Sequence, residues 1–332
     1  MKKDLISDKA SNFFKEEFGI IFNQNGSNET ISSHYFIVNY KSIMIRYISN
    51  GKPSEDTKNS YFSNIDQFLE WCSIINMDPF KINEQHLLYY RSMLINKNYK
   101  PSSVKFKLTA IRRFYFVAMK YKLINENPAL DIHAQRDPDA YIPIIKFLTL
   151  NQLQSLISSI DEETEKELRT KTIVYLMALE GLRTIEVYRM NIQDINFELG
   201  MIYIKGKGHN DMIYPSEKTM RILNKYINMR FSAGDFPTPV FTSTSNNQKG
   251  HRISRTNIRV SITEALKKLG LKIQGQSCHM LRHTCGTLLY GSTKDLQVVK
   301  KVLRHRNIEM TSRYSHVQDA LLNRYTNAIP IK

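Results

Sequence analysis

Apolar residues recur at helical spacing along most of the chain. Tyr61, Ile65, Phe68 and Leu69 form one stripe behind Thr57, a residue suited to cap a helix start. Leu87, Leu88 and Leu94 form a second stripe after Asn83, another cap-type residue. Val104, Leu108, Ile111, Tyr115 and Ala118 form a third after Pro101, whose fixed backbone fits a first helical turn. Further on, Thr149 with Gln152 makes a capping box ahead of Leu153, Leu156, Ile157 and Ile160. Residues 172–180 are apolar nearly all round, as in a buried helical spine, and Gly181 ends them. Residues 201–215 alternate apolar and polar positions about a glycine-containing turn, the pattern of a β-hairpin. The chain is therefore expected to be mainly α with a small β-hairpin or sheet, an α+β fold.

Breaks in the pattern set the expected domains. Residues 1–39 hold a short helical pattern at 8–18 and a polar, turn-rich stretch at 23–30, and are read as an N-terminal extension without assigned chemistry. Residues 40–130 are the first helical domain. Residues 131–147 are read as a linker, lying in a stretch with Pro128, Pro138 and Pro143 and no sustained period. Residues 148–332 are the second domain. It ends in a tail helix with Ala320, Leu321, Leu322 and Tyr325 as its apolar face, too short to be stable unless it docks.

Composition narrows the partner. The chain has 332 residues, 42% of them hydrophobic, enough for a core in each domain. Lys and Arg number 47 against 31 Asp and Glu, a formal charge of +16. That excess is spread along the sequence, and it implies a polyanionic partner, nucleic acid before others. Cys72, Cys278 and Cys285 are too few and scattered for a disulfide framework, which fits a reducing cytoplasm. The first residues have lysines but no apolar core behind them, unlike a secretory signal. The longest apolar run, at 173–179, is about a third of a membrane span, so no membrane association is expected.

The residues with the most chemistry lie between 279 and 314. His279, Arg282 and His283 share one helical face, and His305 and Tyr314 follow on either side of a short polar stretch. An arginine offers a planar fork of donors to phosphate oxygens, histidines hold or pass protons, and a tyrosine hydroxyl can act as a nucleophile. Upstream stand Arg183, which on its own reads as a surface arginine paired with Glu186, and the lysines Lys205 and Lys207 of the hairpin. Cys278, His279, His283 and Cys285 raise a metal-site alternative. The glutamate that a helical zinc-protease motif needs directly after its first histidine is replaced by Met280, so metal ranks below phosphate and none is expected. Cys285 and His283 are read as core residues.

H-x-x-R at 279–282, L-x-H at 303–305 and T-x-x-Y at 311–314, preceded by GLRTIEV at 181–187 and GKG at 206–208, resemble the signature of the tyrosine recombinases, the phage-integrase family with its Xer-like members. Five short motifs in order are far more specific than any one. The resemblance is strong over 145–318, looser over 40–130 and absent over 1–39. It implies a two-domain DNA clamp in which residues 40–130 are a core-binding domain opposite a catalytic domain. It assigns Arg183, Lys207, His279, Arg282, His305 and Tyr314 to catalysis, with Tyr314 as nucleophile and a 3′-phosphotyrosine product, and calls for no cofactor. It implies a double-stranded DNA recombination site, a homotetramer on two duplexes with a Holliday-junction intermediate, and exchange of C-terminal tails around a ring. An accessory DNA-bending protein is left open. Integration and excision, or resolution, of a mobile element is the biological task expected first, with chromosome dimer resolution left open beside it.

In that light the cations of the third helix, Lys105, Lys107, Arg112 and Arg113, are read with Ser102 and Ser103 as DNA contacts, because free N–H groups at a helix start suit phosphate. Arg252 and Arg255, in the basic stretch 242–260, are read the same way. Two positions depart from the family pattern. Met212 stands where a basic residue is frequent, and Arg304 stands where glycine is usual beside the second histidine, as a cation able to adjust His305 or touch DNA. A type IB topoisomerase uses similar groups as a monomer, and a DNA-binding regulator with a decayed site is a third class. The presence of all six expected catalytic residues argues against decay.

Overall fold

The computed structural model describes residues 31–136, 145–206, 210–232, 238–272 and 278–322. The helix expected at 8–18, the loop at 23–30, Lys207 at the hairpin tip and Tyr325 of the tail lie outside the described residues. The chain divides into two compact units, Met1–Ala140 and Tyr141–Lys332.

The first unit contains α1 (Ser33–Ile45), α2 (Glu55–Ile74), α3 (Glu84–Asn96) and α4 (Pro101–Lys120). The caps are local. Ser32 accepts from the Tyr35 N–H, Asn83 and His86 satisfy each other's backbone N–H in a capping box, and Pro101 opens α4. The cap of α2 is Ser54 rather than Thr57, whose backbone N–H is the orphan donor that Ser54 accepts. The domain boundary expected after residue 39 falls inside α1. Phe36, Tyr40, Ile43 and Met44 of this helix are buried in the same core as α2–α4, so burial holds it in the unit.

That core is aromatic. Phe36 and Phe114 meet edge-on with centroids 5.5 Å apart, as do Phe68 and Tyr90. Such pairs contribute about 0.5–1.5 kcal/mol beyond area burial. The unit also holds the first residues expected to be linker. Arg112 of α4 donates to the carbonyls of Ala129 at 3.0 Å and Ile132 at 2.8 Å, and the Ile132 side chain is buried.

The second unit is arranged about α6 (Glu165–Ala178), which follows α5 (Leu150–Ser158). The capping boxes Thr149/Gln152 and Thr164/Glu167 start these two helices. The second box starts α6 earlier than the apolar pattern implies. Helix α7 (Thr184–Arg189) follows, then an antiparallel sheet in the order β1 (Ile195–Asn196), β2 (Met201–Lys205), β3 (Asn210–Ile213). Ile202 pairs with Ile213 and Lys205 with Asn210, so Ile202 and Ile204 enter the core. Helices α8 (Glu217–Ser232), α9 (Arg255–Lys268), α10 (Cys278–Thr293), α11 (Leu296–Leu303) and α12 (Glu309–Leu322) complete the unit. Helix α6 packs against α8, α9 and α10, and nine of its residues are buried.

Gly181 turns the chain out of α6 at φ +64°, a left-handed conformation that favours glycine. A Cβ there would stand 2.5 Å from Leu303, so glycine also permits the close approach of α11. Among the described residues no helix is long and apolar enough to cross a membrane.

Candidate active site

Helix α10 buries Met280 and Leu281 in the core and carries His279, Arg282 and His283 at spacings of three and four. Arg282 is buried. Its NH1 donates to the Gly181 carbonyl and its NH2 to the Leu303 carbonyl, so the ends of α6 and α11 fix the guanidinium. Burial first, then the nearby Arg183, lowers its pKa to about 9, which still leaves it charged at neutral pH.

Arg183 is the residue before α7. Its backbone N–H donates to Glu186 Oε2 and its NH1 to Glu186 Oε1, both at 2.8 Å. The pairing that local sequence suggests is therefore present, while the arginine side chain stays 28% exposed. Glu186 also pairs with Arg304, whose NH2 lies 2.9 Å from Oε2. Burial alone would raise the Glu186 pKa, but Arg304 and Arg183 outweigh it and hold the carboxyl below its usual range.

His305 follows α11, and its Nδ1 shares a 2.9 Å hydrogen bond with Thr311 Oγ1, leaving Nε2 for another partner. Tyr314 of α12 stacks on the His305 ring with centroids 6.2 Å apart. Its side chain is buried, and its hydroxyl lies 3.1 Å from His283 Nδ1. Gly286, one turn along α10, makes room for it: a Cβ there would fall 2.7 Å from Tyr314 Cζ.

The titration states follow from burial. Desolvation raises the Tyr314 pKa, and Arg282 offsets this only in part. Desolvation, then neighbouring arginines, lowers His283 to about 4 and His305 to about 3, and it lowers exposed His279 as well. Both ring nitrogens that meet hydroxyls therefore belong to neutral imidazoles at pH 7.

Four of the six candidate catalytic residues, Arg183, Arg282, His305 and Tyr314, thus stand together. His279 is one turn before His283 on α10, facing outward, and Lys207 is outside the described residues. Lys205 is held by Asp194 at 2.6 Å, a strand lysine fixed to a buried carboxylate. Arg189, which no motif singles out, donates to the Gly206 carbonyl at 2.8 Å and holds the residue that follows β2. Two readings change. His283 is not merely a core residue, because it meets the tyrosine hydroxyl. Arg304 is not a DNA contact, because its side chain turns inward to Glu186.

Three of the candidate DNA residues are also corrected. Lys107 is buried, donates to Gln67 and lies over the Tyr99 ring at 4.9 Å. Arg112 is the strap to residues 129–132. Arg252 donates to the Tyr188 carbonyl at 2.5 Å and to Asn191 Oδ1 at 2.6 Å. In each case carbonyl or amide partners within the fold take the donors that were assigned to phosphate. Ser102, Ser103, Lys105 and Arg113 are exposed on α4, and Arg255 is half-buried at the start of α9. A cleft of about 550 Å³ beside His305 is lined by Asp211, Gln297, Lys300, Lys301, Arg304 and Arg306, of which Lys301 and Arg306 are exposed cations outside the recognised motifs. Among the described residues no cluster of His, Cys, Asp and Glu is placed to hold a metal ion.

The sequence model of the phage integrase family matches residues 146–320, and that of the phage integrase N-terminal SAM-like domain matches residues 42–124. The chain belongs to the phage integrase family, the tyrosine recombinases. It is 26% identical over 277 residues to the tyrosine recombinase XerD of Vibrio cholerae, covering 82% of this chain and 90% of that one. In fold it is similar to the XerH site-specific recombinase bound to a palindromic difH substrate after cleavage, with a TM-score of 0.67 and 22% identity. That match covers 82% of this chain and 79% of the other. It is also similar to the Tn1549 transposon integrase in complex with a circular intermediate DNA, with a TM-score of 0.66 and 16% identity, covering 82% and 93%.

Gly286→Ala should push Tyr314 off its seat. The expected outcome is a loss of roughly 1–3 kcal/mol in denaturant unfolding, as for other overpacked sites, with slower DNA cleavage. Unchanged stability and cleavage would mean that the ring is not seated there.

The two neutral histidines set a second expectation. Their folded pKa values of about 4 and about 3 lie below the ordinary 6.5, so between these limits the unfolded chain takes up protons that the folded chain refuses. Their contribution is complete above pH 6.5 and is lost as pH falls toward 4 for His283 and toward 3 for His305. The melting temperature should drop over that window, and less steeply in His283→Gln.

Proposed function

We propose that this protein breaks and rejoins DNA at specific sites, with Tyr314 as the nucleophile. The observation that carries the reading is the Tyr314 hydroxyl 3.1 Å from a neutral His283, with the His305 ring stacked on the tyrosine and the Arg282 charge acting on it. An ordinary tyrosine is about 0.1% ionised at pH 7, and burial lowers that fraction further here. The hydroxyl therefore needs a proton acceptor, and His283 Nδ1 is in hydrogen-bond reach.

In the proposed step Tyr314 Oη attacks the scissile phosphorus as its proton passes to His283. The Oη–P bond forms and the P–O5′ bond breaks, with the departing 5′-oxygen taking a proton from Lys207. Charge gathers on the non-bridging oxygens, where Arg183, Arg282 and His305 Nε2 serve as preorganised donors. His279, exposed on the same face, is assigned to the DNA phosphate rather than to Tyr314. The 3′-phosphotyrosine retains the energy of the broken bond, so a second 5′-hydroxyl can reverse the step. The scheme calls on no metal ion and no nucleotide cofactor.

Reversible cutting suits strand exchange between two duplexes. We assign the protein to a homotetramer that resolves a Holliday junction, each subunit passing its C-terminal segment to the next. The sequence similarity to XerD supports site-specific recombination, and the likeness in fold to a transposon integrase favours integration, excision or resolution of a mobile element as its task.

Tyr314→Phe should abolish the covalent adduct on a nicked suicide duplex while leaving binding intact. His283→Gln, which keeps a hydrogen bond but not the basicity, should slow cleavage by about 100-fold or more. A full rate in His283→Gln with loss in His279→Gln would move the base to His279. An adduct in Tyr314→Phe would place the nucleophile elsewhere.

The surface of α4 gives a separate expectation. Lys105→Ala and Arg113→Ala should each reduce the log–log salt slope of duplex binding by about 0.9, the value of one released phosphate contact. Lys107→Met and Arg112→Ala should lower the melting temperature and leave the slope unchanged. A reversal of these two patterns would show that the surface has been misassigned.

A further inference from the structure

Arg304 is the residue that the family pattern explains least, and its surroundings are unusual on three counts. It occupies the left-handed region at φ +53° in the cap of α11, where glycine would carry no strain. Its side chain is only 3% exposed, a costly place for a guanidinium. Its Nε is buried with no hydrogen-bond partner. A hydrophobic residue would fill the space, and a glycine would fit the turn. What neither would supply is the contact that Arg304 makes with Glu186, at 2.9 Å from Oε2, supported by the carbonyls of Val302 at 2.8 Å and Gly181 at 3.3 Å.

The charges explain why that contact matters. Glu186 is the carboxylate against Arg183, joined to it through Oε1 at 2.8 Å. With Arg183 alone as partner, the buried anion would cancel the charge that Arg183 is to present to DNA. With Arg304 on the second oxygen, one carboxylate is shared by two guanidiniums, and Arg282 adds a third a short way off. The group Arg183, Arg282, Arg304 and Glu186 then carries two net positive charges. An attacked phosphodiester goes from one negative charge toward two, so the surplus matches the transition state more closely than the ground state.

We propose that Arg304 is a positioning residue that offsets Glu186, so that Arg183 meets the scissile phosphate with its charge uncancelled. It acts through Glu186 and does not touch the substrate. The same backbone bend fixes its neighbours, since the Leu303 carbonyl accepts from Arg282 and the Arg304 carbonyl from Arg183 NH2 at 3.4 Å. The proposal rests on the reading of Arg183 as a phosphate ligand.

The test is single-turnover cleavage of a suicide duplex by the full-length protein and its variants. Arg304→Met removes the charge at similar volume, and Arg304→Gly removes charge and backbone strain together, so a fold defect in one is checked by the other. Both should cleave about tenfold more slowly or worse, short of the roughly 100-fold or greater loss expected when a direct oxyanion donor is removed. Duplex binding should change little. The distinguishing measurement is the double variant Glu186→Gln with Arg304→Met. If Arg304 works by offsetting the carboxylate, removing that charge should restore most of the rate, which a residue that only fills space would not do.

Wild-type rates in both single variants would overturn the proposal, as would a double variant no faster than Arg304→Met. Either result, obtained while the wild-type protein forms its Tyr314 adduct, leaves the recombinase reading intact. Absence of that adduct in the wild type would overturn both.

Discussion

A buried carboxylate is the constraint on which the catalytic unit depends. Glu186 lies where α7 begins, and burial makes its charge expensive unless cations meet it. Arg183 does so from the neighbouring turn, and Arg304 does so across the site. The two arginines come from parts of the chain 121 residues apart, as their mutual hydrogen bond records. The Gly181 carbonyl accepts from both Arg282 and Arg304, so the turn out of α6 collects the same group from another side. The core of α6 and α10 holds that turn and the H-x-x-R helix at a fixed distance. In this way apolar packing sets the geometry of a polar site.

The parts of the fold that were legible in the sequence are those with local causes. Asn83 and Thr149 announce helices because a cap and its partner lie three residues apart, and the hairpin shows in the alternation of β2 and β3. Thr57 has the residue type of a cap yet lies inside the first turn behind Ser54, because hydroxyl residues stand on both sides of this helix start and residue type alone does not say which one lies outside it. Helix α1 carries only a weak signal, since apolar residues stand at half-buried Tyr35, Ile37 and Ile45 and at exposed Val38 as well as at its buried positions. Its place is set by Phe36 meeting Phe114, a contact that no local window contains.

The site was legible where its chemistry travels with a motif, as for Arg282, His305 and Tyr314. It was not legible where a side chain's partner decides its role. Lys107, Arg112 and Arg252 have the charge of DNA contacts, but tertiary folding turns them to Gln67, to the carbonyls near Ile132 and to Tyr188. His283 illustrates the opposite error. It reads as a core residue once a metal role is set aside, and it is indeed half-buried, yet what its ring meets is the tyrosine hydroxyl from α12.

The missing side chain at Gly286 has one more consequence. The notch it leaves in α10 lets the tyrosine ring sink below the surface, under the stacked imidazole of His305. From such a seat the hydroxyl itself is shielded from bulk water. A single hydrogen atom in place of a methyl group thus sets how deep in the protein the ring lies.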